Sequence, residues 1–286
     1  MSQLSGSNAA ALAADGSRAS SPLGERIAAA KADRRAALVG YLPVGYPDVD
    51  TSIDAMRAIV AAGVDIVEVG VPYSDPGMDG PTIQAAVDPA VRAGVGMPEV
   101  LRAVSAVADA GAAAVVMTYW NPVEHYGVTR FATDLAGAGG SGAITPDLIP
   151  DEAAPWITAS DTYGLDRVFL VAPSSTDARL ATTAAACRGF VYAASTMGVT
   201  GARDTVGATA RTLVARVRAV APESAVCVGL GVSNGRQAAE VAQFADGVIV
   251  GSALVRCLLD SPDAAGIAGL ARLTADLADG VRASTG

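Results

Sequence analysis

Eight short apolar runs alternate along the chain with longer segments that mix apolar and polar residues. The runs are ALVGYLP (37–43), DIVEVGV (65–71), AAVVMTY (113–119), GAITP (142–146), RVFLVAP (167–173), GFVYAA (189–194), AVCVGLG (225–231) and DGVIVGS (246–252). They are close to continuously apolar rather than alternating, the pattern of parallel strands covered on both faces.

The segments between them carry helix punctuation. DVDTSIDAMRAIVAAG (48–63) opens on Asp and closes on Gly, MPEVLRAVSAVADAG (97–111) has Pro near its start and Gly at its end, and TVGATARTLVARVRAVAP (205–222) stops at Pro. Strand and helix repeated eight times predict a closed (β/α)8 barrel of the TIM-barrel class. A doubly wound open sheet is the alternative, and eight near-even units favour the closed form. The first 24 residues, MSQLSGSNAAALAADGSRASSPLG, are small and polar and read as a disordered extension. They lack the basic start and apolar core of a secretory signal. Residues 25–286 are then one catalytic domain, and no run of about 18 apolar residues predicts a membrane span.

Composition narrows the chemistry. Hydrophobic residues make up 51% of the 286 and aromatics 5%, so the core is built from Val, Leu, Ile and Ala. A formal net charge of −9 with no Lys/Arg cluster argues against nucleic acid. Any phosphate must be bound locally, by backbone amides or a few side chains. Cys187, Cys227 and Cys257 fit no CxxC spacing and His125 is the sole histidine, so a transition-metal site is not expected.

Function in such a barrel sits at the C-terminal ends of the strands. There VEVGVPYSDPGMDGPTIQ (67–84) places Glu68 inside an apolar strand and Asp75 and Asp79 in the loop that follows. An ionised carboxylate in an apolar setting is costly unless paired, neutralised or used. Position alone leaves Glu68 open between a buried acid paired with Arg or with backbone amides and a catalytic acid. Asp79 is open between a helix-cap residue before GPTIQAA and a catalytic partner, and Asp75 reads as a turn former. Two acids at one mouth can divide acid and base roles when their surroundings separate their pKa values. His125, in NPVEHYG, reads as a solvated loop residue, and Tyr192 has a strand position that directs its hydroxyl toward the mouth.

VGLGVSNG (228–235) and VGSALV (250–255) place Gly and Ser where helices begin, a pattern that binds phosphate through free amides and that also occurs in ordinary tight turns. GLGVSN lacks the third glycine of a dinucleotide fingerprint, Asn234 standing in its place, and no P-loop occurs. STMGVTGARDT (195–205) has the glycines of a lid and equally the composition of an exposed loop.

VEVGVPYSDPGMDGPTIQ closely resembles the signature of the tryptophan synthase alpha chain family. GYLPVGYPD (40–48), ITPDLIPDEA (144–153), MGVTG (197–201) and the two late glycine motifs agree with it, in family order. The resemblance implies retro-aldol cleavage of indole-3-glycerol phosphate to indole and glyceraldehyde 3-phosphate. It assigns Glu68 and Asp79 as catalytic residues with Tyr192 beside them. It assigns Gly201, Gly231, Gly251 and Ser252 to the phosphate, Tyr41, Met117, Ile144 and Leu230 to the indole, and Thr200 to the lid. It implies a cytoplasmic enzyme with no cofactor in this chain, and a beta-chain partner carrying pyridoxal phosphate in an α2β2 assembly. Tyr41 stands where Phe is common, GMDG (77–80) where LADG is frequent, and STMG (195–198) where many members have SRSG. The last difference bears on lid closure and partner coupling. Two rivals share parts of this pattern: another phosphate-binding barrel, such as a sugar-phosphate isomerase, and a non-catalytic subunit that binds a phosphorylated ligand. The Glu68–Asp79 spacing argues against the first and the intact acid pair against the second.

Overall fold

The computed structural model describes residues 21–194, 203–229 and 231–283. Its strands are β1 (Ala37–Pro43), β2 (Ile66–Gly70), β3 (Ala113–Met117), β4 (Gly142–Ile144), β5 (Asp166–Val168), β6 (Leu170–Val171), β7 (Val191–Ala194), β8 (Val226–Gly229) and β9 (Gly247–Val250). All pair in parallel, in the order β5-β4-β3-β2-β1-β9-β8-β7-β6. The two ends of that order, β5 and β6, are one apolar run interrupted at Phe169. The ninth strand is therefore the expected fifth run counted twice, and the ring passes through a covalent link. The interruption has a local cause: the Phe169 N–H donates to the Cys187 sulfur at 3.4 Å rather than to a strand.

Helices follow the strands around the ring: α2 (Val49–Ala61), α3 (Pro81–Arg92), α4 (Met97–Asp109), α5 (Trp120–Tyr126), α6 (Val128–Gly137), α7 (Ala154–Tyr163), α8 (Asp177–Ala186), α9 (Arg203–Val220), α10 (Gly235–Ala242), α11 (Ser252–Asp260) and α12 (Ala264–Ala283). The expected starts and stops hold closely. Asp48 caps α2 through the Thr51 amide, and Gly63 and Gly111, just past α2 and α4, take φ of +111° and +94°. NPVEHYG, expected as loop, is helical, because α5 spans Trp120–Tyr126 with Pro122 in its first turn. Among the described residues no helix is long and apolar enough to cross a membrane.

Two apolar layers result. Val67, Val69, Val116 and Val228 face outward and pack under the helices. Ala37, Val39, Ile66, Val115, Ile144, Val168, Phe190, Cys227 and Ile249 fill the barrel interior. A further helix, α1 (Pro22–Ala32), precedes β1 and seals the end of the barrel opposite the mouth, adding Leu23, Ile27 and Ala30 to that interior layer. Residues 21–24, expected in the extension, thus belong to the packed structure. Ser21 caps α1 through the Gly24 amide at 3.1 Å, and the Leu23 N–H donates to buried Asp166 at 2.8 Å.

Leu23 is fully buried, so Leu23→Ala leaves a cavity in the barrel floor. Denaturant unfolding should show a loss of about 2–5 kcal/mol. A loss under about 0.5 kcal/mol, the size typical of a surface change, would mean that α1 does not seal the barrel.

Candidate active site

Strand β2 reads Ile-Val-Glu-Val-Gly, and its period of two decides what enters the barrel. Val67 and Val69 face the helices while Ile66 faces the interior, so Glu68 and Gly70 face inward as well. Glu68 lies in register with Tyr41 of β1 and Val115 of β3. Gly70 leaves room for the Tyr41 phenol, since a Cβ at 70 would stand 2.6 Å from the Tyr41 hydroxyl. The same device recurs across the ring: a Cβ on Gly229 of β8 would stand 2.7 Å from the hydroxyl of Tyr192 in β7. Two phenols thus lean over glycines of neighbouring strands.

The Glu68 carboxyl is 1% exposed, and its Oε1 has no hydrogen-bond partner among the described residues. Burial pushes its pKa up to about 8. Other acids show what structural pairing looks like here. Asp65 takes a two-pronged pair from Arg35 at 2.6 and 2.8 Å and the Leu38 N–H at 2.8 Å. Asp246 meets Arg218 at 3.2 Å and the Val226 N–H at 2.9 Å, and Asp166 lies 3.4 Å from Arg188. These three acids stand at or just before strand starts, each with an arginine. Glu68 stands inside the ring with no ion pair among the described residues, so the arginine-paired alternative does not describe it.

Asp79 is half-buried in the loop after β2. Burial raises its pKa, while a hydrogen bond from the Tyr119 hydroxyl, at 3.1 Å to Oδ1, pulls it down. Tyr119 also accepts the Met78 N–H at 2.9 Å, and burial pushes its own pKa up to about 12. Tyr41 is driven well above the usual tyrosine range by burial, then by Asp79 and Glu68, so its phenol lies within the field of both carboxyls. Tyr192 is raised by burial and then by Glu68. Met117 and Ile144 are register neighbours on β3 and β4, and Met117 also pairs with Gly70, so they form an apolar wall one step beyond Glu68 toward the mouth.

The late glycine motifs differ in a way their sequences do not show. The start of α10 is already occupied: Asn234 takes the Gln237 amide, Gln237 the Ser233 amide, and Asp276 of α12 the Gly235 amide at 2.6 Å. Gly231, just upstream, takes a left-handed φ of +67°. The start of α11 has Gly251 at its cap and no side-chain cap, with Gly251 abutting the Tyr41 ring. Its uncapped amides beside Tyr41 are the better anion seat. Gly201, Thr200 and Leu230 lie outside the described residues.

Asp75 is exposed and accepts a bond from the Ser74 hydroxyl, as a turn former does. His125 is exposed in the last turn of α5. Among the described residues no group of three His, Cys, Asp or Glu side chains gathers as a metal site. Tyr119 was not singled out from the sequence; its signal was its place as the last residue of the third apolar run, where the chain leaves the barrel at the mouth.

Residues 27–278 match the family model described as tryptophan synthase alpha chain. The tryptophan synthase alpha chain of Thermobifida fusca is 63% identical over 265 residues, covering 92% of this chain and 98% of the relative. That of Mycobacterium marinum is 62% identical over 265 residues, covering 93% and 96%. A solved structure of Mycobacterium tuberculosis tryptophan synthase superposes with a TM-score of 0.86 at 60% identity, covering 92% of this chain and 99% of the other. The subunit alpha structure from Legionella pneumophila keeps a TM-score of 0.83 at 27% identity, covering 92% and 98%.

The raised pKa of Glu68 makes a signed prediction. Between the ordinary value of 4.5 and about 8 the folded state holds a proton that the unfolded chain has released. Stability therefore falls as pH rises through that window. Glu68→Gln removes this dependence, so its thermal midpoint should exceed the parent's by several degrees at pH 8 and match it at pH 4. Equal midpoints at pH 8 would contradict the burial of an unpaired carboxyl.

Proposed function

The chain belongs to the tryptophan synthase alpha chain family, and from that membership we propose how its barrel mouth works. It is a lyase that cleaves indole-3-glycerol phosphate to indole and glyceraldehyde 3-phosphate, a half-reaction of tryptophan biosynthesis. The chemical problem is the leaving group, since indole does not depart cheaply as a carbanion. Protonation at carbon 3 turns the ring into an indolenine, which accepts the electrons of the breaking carbon–carbon bond.

Glu68 supplies that proton. A carboxyl with its pKa at about 8 is still protonated near neutral pH and is strong enough to donate. Once ionised, it takes the proton of the glycerol hydroxyl next to the breaking bond. The hydroxyl becomes the aldehyde carbonyl, the bonding pair returns to the ring, and Glu68 ends protonated as it began. Asp79, as carboxylate, accepts or stabilises the indole N–H proton while the ring carries positive charge. Tyr192 stands beside Glu68. Tyr41, Met117, Ile144 and Leu230 enclose the indole.

The phosphate sits on Gly251 and Ser252 at the start of α11, with Gly231 and Gly201 adding amides, and Thr200 belongs to the lid. Binding energy from that remote group positions the reacting bond. This route asks for no metal or organic cofactor in this chain. The partner is a beta chain that carries pyridoxal phosphate, in a cytoplasmic α2β2 assembly. The loop after β2 and helix α5 lie on the face proposed to meet it; the loop after β7, expected to join them, falls outside the described residues.

The observation that carries the assignment is the inward carboxyl of Glu68, whose Oε1 has no partner among the described residues. Glu68→Gln keeps the size and loses the proton, so cleavage of indole-3-glycerol phosphate should fall by about a hundredfold or more. Survival within about tenfold would contradict the assignment, because general acid catalysis at this site is expected to contribute more than that. In size-exclusion chromatography, a mixture with the beta chain should elute ahead of either component. Separate elution would rule out the assembly.

A further inference from the structure

The loop that carries Asp79 has little to hold it. Ser74, Asp75, Gly77, Met78 and Gly80 are exposed, and a Cβ on Gly77 or Gly80 would meet no atom within 4 Å. Yet Asp79 is the acid whose oxygens must meet one N–H of a rigid ring. Two hydrogen bonds reach this segment from the barrel itself, and both involve one atom. The Tyr119 hydroxyl donates to Asp79 Oδ1 at 3.1 Å and accepts the Met78 N–H at 2.9 Å. Of the other side-chain bonds among the described residues, that from the Ser74 hydroxyl to Asp75 stays within the loop, and that from Gln84 to the Asp79 carbonyl comes from the exposed start of α3 and leaves the carboxyl free to turn.

Tyr119 is itself fixed. It is 8% exposed, and its ring stands 5.3 Å from that of Tyr73 at the root of the same loop. The backbone on either side is tied to the ring of strands and the loop after it: the Thr118 N–H donates to the Ile144 carbonyl at 3.1 Å and the Trp120 N–H to Asp147 at 2.9 Å. The phenol is therefore a rigid post rising from the end of β3. Because its oxygen both donates and accepts, it fixes the orientation of the carboxyl and the path of the backbone that bears it.

We infer that Tyr119 is a positioning residue for the cleavage reaction, holding the Asp79 carboxylate in the orientation and charge state in which it meets the indole N–H. This extends the role proposed above for Asp79 and rests on it. Tyr119 acts through Asp79 and touches neither the phosphate seat nor the proton on Glu68. The groups facing the pair are Tyr41 on β1, Glu68 on β2, Tyr73 in the same loop and Asp147 beyond β4. Among the described residues the Tyr119 hydroxyl is the one side-chain group that donates to the Asp79 carboxyl. Without it, burial alone acts on Asp79 and shifts the acid further toward its protonated form.

The test is a double-mutant cycle on indole-3-glycerol phosphate cleavage with Tyr119→Phe, Asp79→Asn and the pair. Phe keeps the ring against Tyr73, and a thermal melt confirms that the variant folds. Tyr119→Phe should lower kcat by about ten- to hundredfold, the worth of one hydrogen bond to a charged group, with KM little changed. The acid limb of its kcat/KM profile should move to higher pH, a shift that a loss of folding alone would not produce. Added to Asp79→Asn, it should cost almost nothing more. Wild-type kcat and an unmoved acid limb in Tyr119→Phe, with Asp79→Asn impaired, would overturn the inference and leave Asp79's role standing. So would an equal loss from Tyr119→Phe in both backgrounds. Full activity in Asp79→Asn would remove the proposed role of Asp79 and this inference with it.

Discussion

An acid with no counter-ion among the described residues, enclosed by a ring of parallel strands, is the constraint on which the site depends. Burying the Glu68 carboxyl is costly, and nothing among the described residues offsets that cost by pairing. The folded chain answers by keeping the proton, with the pKa at about 8. The same fact that weakens the fold at alkaline pH supplies the donor that the proposed mechanism needs near neutrality. On the proposed mechanism, stability and catalysis are two consequences of one desolvation.

The barrel supports this by dividing its charges. Toward the strand starts, Asp65, Asp166 and Asp246 each have an arginine, and each accepts a backbone N–H from another segment: Leu38 of β1, Leu23 of α1 and Val226 of β8 respectively. At the mouth, among the described residues, Glu68 and Asp79 have phenols rather than cations around them. A phenol adds no positive charge, so it lowers a carboxyl's pKa only where it donates a hydrogen bond, as Tyr119 does to Asp79, while burial alone acts on Glu68. The glycines at 70 and 229 belong to the same design, since any side chain there would displace the hydroxyls of Tyr41 and Tyr192.

Much of this was legible in the sequence, for reasons that differ by element. The strands were legible because both faces are buried and the runs are therefore continuous. Glu68 was legible because a lone acid interrupts such a run. The break at Phe169 was not, because the group that takes its N–H is a sulfur 18 residues away. The start of α1 was hidden by the polar stretch before it, although Ser21 followed by Pro22 is a sound helix beginning. Tyr119 was missed because its partner, Asp79, is 40 residues distant. The two late glycine motifs looked equivalent, and only the approach of Asp276 from α12 separates a filled helix start from an uncapped one.

Direct titration of the Glu68 carboxyl tests the account at its root. With glutamate labelled at the side-chain carboxyl carbon, carbon-13 resonances followed from pH 4 to pH 10 should contain one signal with a midpoint near 8 that is absent from Glu68→Gln. A Glu68 signal that titrates near 4.5, the ordinary glutamate value, would show the group ionised at neutral pH and would remove the proton on which the proposed chemistry depends.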